Sequence, residues 1–177
     1  MKFKWYERHG DYHWRHYAKR TSYRIHADYV RDWVKEKNIL DVGAGDGLIT
    51  HLLGAKGIEA EPEGVRLAQE KGVDVIQGDA YKLPFEDNSF EAVTMIDVIE
   101  HLEDPEKALQ EARRVAPILY INTPPKQDGV YSIGRYHVQE WSPDGLWKLV
   151  EKEGFRLDGS MVVYPREKRM YAKFKRI

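Results

Sequence analysis

A glycine-rich loop directly after a short apolar segment constrains the fold of this chain more than any other feature. Residues 39–42 are predicted to form a buried strand, and Gly43, Gly45 and Gly47 follow it at alternate positions. Glycine has no Cβ, so the backbone can turn sharply there and approach a ligand closely. We therefore expect a strand, an exposed ligand-binding loop and a helix from Asp46, the opening of an α/β sheet.

Short apolar segments alternate with longer amphipathic ones after residue 37. The predicted strands cover residues 39–42, 57–60, 73–76, 90–96 and 118–121. The predicted helices cover residues 46–53, 62–71, 105–116 and 142–154. Two last strands, at 155–164 and 168–174, are expected to form a hairpin. This alternation predicts a doubly wound, Rossmann-like parallel sheet with an antiparallel hairpin at one edge.

Composition excludes several kinds of site. The 177 residues include no cysteine, which excludes a disulfide framework, a thiolate nucleophile and cysteine-ligated zinc. No apolar stretch approaches the roughly 20 residues of a membrane span, and the first residues do not form a signal peptide. We expect a cytoplasmic protein without membrane association, and the 32% of charged residues is typical of thermophiles.

Charge is distributed unevenly along the chain. Residues 1–37 carry ten Lys/Arg against five Asp/Glu, residues 160–177 carry six against one, and the stretch between them is acidic. The basic ends either neutralise the acidic body or form a rim that attracts an anionic substrate such as RNA or a phosphorylated metabolite.

Two acids follow the next two predicted strands. Glu59 ends the second strand, where a carboxylate can accept both hydroxyls of a ribose, and Asp79 follows the third, where it can bind an adenine amino group. Either acid alone would be interpreted as a solvated loop residue, but with the glycine loop they predict an adenosine site. Leu48 breaks the dinucleotide fingerprint, and no Lys-Ser/Thr pair follows the loop, which excludes a P-loop.

Residues 38–157 resemble the class I S-adenosylmethionine-dependent methyltransferases, in particular the small UbiE/UbiG-like enzymes of the methyltransferase type 11 group. The segments that carry the resemblance are 40–47, 57–59, 78–80, 83–85, 89–91, 97–102, 114–115, 122–124, 137–141 and 154–155. The resemblance implies a seven-stranded sheet of order 3-2-1-4-5-7-6 with an antiparallel last strand. We predict a single domain that consists of an N-terminal helical lid, residues 1–37, and a methyltransferase core, residues 38–177.

The same resemblance implies S-adenosylmethionine as the cofactor. It places the methionine part against the glycine loop, the ribose on the acid of the second strand, the adenine beside the acid of the third and the sulfonium after the fourth. The implied cofactor-binding residues are Asp41, Gly43, Ala44, Gly45, Glu59, Ala60, Asp79, Ala80, Ile96 and Asp97.

His101 is the candidate general base, because it follows the fourth strand and histidine titrates near neutral pH. The alternative is a structural histidine that orders the loop after that strand. Residues 1–37 are rich in aromatic and histidine side chains at spacings of three and four, which predicts a helix. That helix either packs on the sheet or forms a lid over the cofactor, and the two functions are compatible.

A metal site is the remaining alternative for the segment after the fourth strand. Asp97, Glu100, His101 and a later His137 resemble the metal-ligand pattern of small-RNA 3′-terminal 2′-O-methyltransferases, in which a glutamate stands in place of Asp97. We expect no metal, because aspartate is one methylene shorter and the loop before His137 would have to return that residue across the strand ends.

The predicted function is methyl transfer from S-adenosylmethionine to a small-molecule acceptor. An RNA or protein substrate is the alternative within the same class, and the RNA alternative includes metal-assisted 2′-O transfer. A non-catalytic module that binds S-adenosylmethionine or S-adenosylhomocysteine is the alternative outside it. An NAD-dependent oxidoreductase is disfavoured by Leu48. The acceptor atom and the oligomeric state stay open.

Overall fold

A computed structural model describes residues 4–19, 21–126, 136–164 and 168–177, which fall into two units, residues 1–84 and 85–177. The elements of the first unit are α1 (Trp5–His9), α2 (Tyr12–Ala18), α3 (Ser22–Trp33), β1 (Ile39–Val42), α4 (Leu48–Leu53), β2 (Lys56–Glu59), α5 (Pro62–Glu70) and β3 (Val75–Gln77). Residues 1–3 and 20 of the predicted lid segment lie outside the described residues.

The first unit is built on three parallel strands in the order β3-β2-β1. All four residues of β1 are buried, because apolar side chains on both faces of a parallel strand pack against helices. Pro62 begins α5 in the first turn, as predicted, where its missing amide costs no hydrogen bond. The carboxyl ends of β1 and β2 bring the glycine loop and Glu59 to one edge of this part of the sheet.

The second unit carries the remaining strands. Its elements are β4 (Ala92–Ile96), a 3-10 turn (Ile99–His101), α6 (Pro105–Val115), β5 (Ile118–Thr123), α7 (Pro143–Lys152), β6 (Phe155–Leu157), β7 (Val162–Tyr164) and β8 (Arg169–Arg176). β4 and β5 are parallel, and β8 pairs antiparallel with β5, β6 and β7. The Asp104 and Ser142 side chains cap α6 and α7 by accepting from the Lys107 and Gly145 amides, each at 3.2 Å.

The predicted fold class is confirmed. The order β3-β2-β1 within the first unit and β4-β5-β8-β6 within the second agree with the two halves of the predicted order, and the last strand is antiparallel to β5. One detail differs: the strand predicted at 155–164 is two short strands, β6 and β7, both paired with β8. The interruption contains Gly159, whose φ of 96° is incompatible with an extended strand.

The amino-terminal segment is helical, as its aromatic spacing predicted, and it forms three helices. Gly10 separates α1 from α2 with a φ of 58°. None of the helices in the described parts of the chain is long and apolar enough to cross a membrane.

Candidate functional site

The glycine loop is a left-handed turn covered by other parts of the first unit. Gly43, Gly45 and Gly47 have φ angles of 77°, 58° and 81°, a region that favours glycine. The amides of Gly43 and Ala44 both donate to the Ile58 carbonyl, at 2.8 and 3.0 Å. Gly45 and its neighbours Ala44 and Asp46 are buried, so the expectation of an exposed loop is wrong.

Glu59 joins the loop to the end of β2. Its side chain is buried, Oε2 accepts from the Gly45 amide at 2.9 Å, and Oε1 accepts from the Glu61 amide at 2.7 Å. Burial raises the pKa of Glu59, and the two amide hydrogen bonds oppose that shift. The structure therefore brings together two predicted cofactor residues, Gly45 and Glu59, through a direct hydrogen bond.

The other residues of this unit that are predicted to bind the cofactor make contacts of their own, separate from the Gly45–Glu59 hydrogen bond. The Asp41 carboxylate is buried and accepts from the Thr50 hydroxyl at 2.7 Å, which ties β1 to α4. Asp79 is exposed and accepts from the Tyr81 amide at 2.9 Å, while Ala60 is exposed and Ala80 half-buried. Their proximity to a cofactor stays a prediction.

Two carboxylates of this edge hold the amino-terminal helices. The Glu61 carboxylate accepts from the Trp5 and Glu7 amides at 2.9 and 3.0 Å, and the Asp46 carboxylate accepts from the His13 amide at 2.9 Å. These amides belong to the first turns of α1 and α2, where no acceptor exists within the helix. Sequence reasoning missed both contacts, because nothing local to an acid in a loop reveals a helix 33 to 56 residues away.

Tyr6 lies between these two attachments and covers the loop. Its side chain is 7% exposed, and a Cβ on Gly45 would overlap its hydroxyl and lie 2.7 Å from its Cζ. A side chain at position 45 and the phenol of Tyr6 therefore exclude each other. Glycine is required there by the protein's own packing as well as by any ligand.

In the second unit, several polar side chains contact one another where β4 ends. Asp97 has a φ of 54°, and both its carboxylate oxygens lie 2.9 to 3.0 Å from Arg169 Nη1 on β8. Arg169 Nη1 also donates to Asn122 Oδ1 at 3.1 Å. Ile96, the other residue predicted to face the sulfonium, is buried.

Glu100 is a buried carboxyl in the same set. It is 1% exposed and accepts from the Thr123 hydroxyl at 2.9 Å. Burial, followed by repulsion from Asp97, raises the pKa of Glu100 to about 8. Glu100 is therefore largely protonated at neutral pH.

His101 has the geometry of a proton acceptor. Its Nδ1 lies 2.9 Å from the Tyr136 carbonyl, and a carbonyl oxygen only accepts, so Nδ1 carries the proton and Nε2 keeps its lone pair. Burial lowers the pKa of His101, which keeps the imidazole neutral at pH 7. The structure thus supports a base at this position and also the alternative, since the same hydrogen bond orders the segment at Tyr136.

His137 returns to this turn, contrary to the expectation that argued against it. Its ring centroid lies 5.1 Å from that of His101, and its Nδ1 lies 2.9 Å from Glu140 Oε1. Donor atoms of Glu100, His101 and His137 lie within 4.8 Å of one another. Asp97 is paired with Arg169, so three of the four residues of the RNA-enzyme pattern converge, and the absence of a metal stays a prediction.

Comparison with known proteins identifies the class of domain. Residues 40–117 match the family described as a methyltransferase domain. A norajmaline N-methyltransferase of Rauvolfia serpentina is 40% identical over 96 residues, which are 46% of this chain and 33% of that protein. A demethylmenaquinone methyltransferase of Thermotoga maritima is 28% identical over 125 residues, which are 62% of this chain and 55% of that protein. The chain thus spans between a third and about half of these relatives.

A solved structure shows the same fold over nearly the whole chain. An S-adenosylmethionine-dependent methyltransferase of Thermotoga maritima superposes with a TM-score of 0.78 at 22% identity, covering 97% of this chain and 98% of that one. This likeness shows the fold, and the matched residues 40–117 are those of a methyltransferase domain, in agreement with the resemblance seen in the sequence.

Replacing Gly45 by alanine is expected to lower the free energy of unfolding by about 1–3 kcal/mol beyond the cost of the left-handed backbone, because the new Cβ meets Tyr6. Gly54→Ala is the matched control, since Gly54 has a φ of 61° and nothing within 4 Å of its ideal Cβ. Urea denaturation of both variants measures the difference. Equal losses would show that Tyr6 does not occupy this space.

Glu100→Gln is expected to change how stability depends on pH. The folded pKa of about 8 lies above the ordinary 4.5, so between these values only the folded state retains the proton. The free energy of unfolding then falls as pH rises, by up to about 1.4 kcal/mol per pH unit, and the glutamine variant lacks that slope. Urea denaturation from pH 5 to pH 8 measures it, with exposed Glu86→Gln as control. Parallel curves for Glu100→Gln and the parent would contradict the raised pKa.

Proposed function

Because the chain carries a methyltransferase domain of the class I S-adenosylmethionine-dependent kind, we propose that it transfers a methyl group to a small-molecule acceptor. The observation that carries the proposal is the hydrogen bond between the Gly45 amide and Glu59. It joins the two segments that the resemblance assigns to the cofactor, within the matched residues 40–117.

The residues of the first unit fit an adenosine ligand. The loop is built from glycines in left-handed conformations, and the phenol of Tyr6 occupies the space that a Cβ on Gly45 would fill, with its polar hydroxyl nearest to the loop. We assign the methionine part to Gly43, Ala44 and Gly45, the ribose to Glu59 and the adenine to Asp79.

We also assign Asp41, Ala60 and Ala80 of the first unit to the cofactor-binding site. In the second unit, Ile96 and Asp97 are assigned to the reacting end of the cofactor. S-adenosylmethionine supplies a methyl group already activated on a sulfonium, so positioning can provide most of the acceleration.

We assign the proton-accepting function to His101. A base is needed only where the acceptor loses a proton near the transition state. Nε2 is the ring nitrogen of His101 that can accept a proton, because Nδ1 donates to the Tyr136 carbonyl. The lowered pKa of His101 keeps this nitrogen unprotonated at neutral pH.

The amino-terminal segment, residues 1–37, is proposed as a lid. Its attachments support this function, since α1 is held by Glu61, two residues after the ribose acid, and α2 is held by Asp46 within the glycine loop. A segment fastened to both cofactor-binding segments is suited to exclude water from the transfer site.

Small-molecule acceptors are favoured by the names of the two curated relatives, a norajmaline N-methyltransferase and a demethylmenaquinone methyltransferase. The convergence of Glu100, His101 and His137 is the observation that bears on the RNA alternative, and the pairing of the fourth residue, Asp97, with Arg169 opposes it.

Calorimetry and a transfer assay test the proposal in two stages. The protein is expected to bind S-adenosylmethionine and S-adenosylhomocysteine but not NAD. It should then transfer label from methyl-labelled S-adenosylmethionine into a small-metabolite extract and not into an RNA pool. Binding without any transfer would instead favour a non-catalytic module, and label in RNA would favour the alternative substrate.

We propose that no metal takes part, because Asp97 is engaged by Arg169. Treatment with a chelator is expected to leave the affinity for S-adenosylhomocysteine unchanged, and Mg²⁺ or Mn²⁺ should not raise the melting temperature. A saturable rise with Mn²⁺ that His137→Ala abolishes would contradict this and favour the metal-assisted alternative.

A further inference from the structure

We infer that Tyr6 is a cofactor-binding residue, whose hydroxyl donates a hydrogen bond to an oxygen or nitrogen acceptor of the adenosyl ligand. The inference rests on the proposed function for the class of ligand, and adds to it a residue outside residues 38–157 that no part of the sequence resemblance covers.

The position of Tyr6 places its hydroxyl at the glycine loop. A Cβ on Gly45 would overlap the hydroxyl, and a Cβ on Gly64 would lie 3.0 Å from Tyr6 Cδ2 and 3.1 Å from Glu59 Cγ. The ring thus fits between two glycines that border the buried Glu59 side chain. The hydroxyl stands beside the two residues, Gly45 and Glu59, that carry the proposed cofactor site.

Within residues 4–19, 21–126, 136–164 and 168–177 no hydrogen bond to the Tyr6 hydroxyl is found, and the hydroxyl is not fully buried, although the residue as a whole is only 7% exposed. A ligand that displaces water from this hydroxyl has to supply an acceptor in its place, because losing water without replacement is unfavourable. A phenylalanine would fill the same space without that loss. A bound ligand at the loop supplies the acceptor that the described protein lacks.

The surrounding charges favour donation by this hydroxyl. Burial and the nearby carboxylates of Asp46, Glu59 and Glu61 raise the pKa of Tyr6 well above its ordinary value. The phenol therefore stays protonated throughout the physiological range and can act as a donor.

Glu61 is the positioning residue for this contact. Its carboxylate holds the amides of Trp5 and Glu7, the residues on either side of Tyr6. These two hydrogen bonds restrain the backbone of α1 on both sides of Tyr6 and so help to hold its ring at the loop.

Tyr6→Phe tests the inference, with binding and stability measured separately. Calorimetry with S-adenosylhomocysteine should show an affinity about tenfold lower than that of the parent, the usual effect of losing one hydrogen bond. The melting temperature without ligand should be unchanged or higher, because the deleted hydroxyl has no partner in the described protein.

Tyr17→Phe is the matched control. The Tyr17 hydroxyl donates to Asp28 Oδ1 at 2.9 Å, so its loss should slightly lower the melting temperature and leave the affinity unchanged. The two variants are therefore expected to show opposite patterns, which a purely structural function of Tyr6 would not produce.

Glu61→Gln tests the positioning. It should weaken binding of S-adenosylhomocysteine in the parent and much less in the Tyr6→Phe background, because it acts through Tyr6. Glu63→Gln is the control, since Glu63 lies in the first turn of α5, two residues after Glu61, but pairs with Arg66 at the surface.

Two outcomes separate the inference from the function on which it rests. If the parent binds S-adenosylhomocysteine and Tyr6→Phe binds as tightly or more tightly, Tyr6 only covers the loop and the inference is overturned. If the parent binds neither S-adenosylmethionine nor S-adenosylhomocysteine, the proposed function fails first.

Discussion

The buried carboxylate of Glu59 is the interaction on which the first unit depends. It accepts one amide from the glycine loop and one from the segment that follows β2, so a single side chain fixes two turns that come from separate strands. An unpaired carboxylate at this depth would be strongly disfavoured, and the two amides stabilise it in place. Its function in holding the loop is independent of any ligand, and a ribose would add to an arrangement that already exists.

The attachments of the amino-terminal helices follow the same physical rule. Amides in the first turn of a helix need acceptors from outside it, and Glu61 and Asp46 supply them to α1 and α2. Each acceptor belongs to a segment assigned to the cofactor. A displacement of either segment would therefore alter the hold on a helix, which would link the proposed lid mechanically to binding of a ligand at the loop.

Local patterns predicted most of the fold, because the determinants of those elements are local. The strand at 39–42, the prolines at 62, 105 and 143 and the caps Asp104 and Ser142 all stand where their sequence signals place them. The contacts of Tyr6 and the return of His137 could not be predicted, because they depend on packing between distant parts of the chain. The interruption at Gly159 is a detail that local reasoning could have predicted, because Asp158-Gly159-Ser160 is a turn signal.

The pair of Asp97 and Arg169 affects the order in which contacts can form while the chain is synthesised. The two residues are 72 positions apart, and Arg169 opens the last strand of the sheet. During synthesis β4 and β5 precede β8, so the carboxylate at the Asp97 turn lacks its counter-charge until residue 169 has been made. The nascent chain would thus carry an uncompensated negative charge at this turn until β8 pairs with β5.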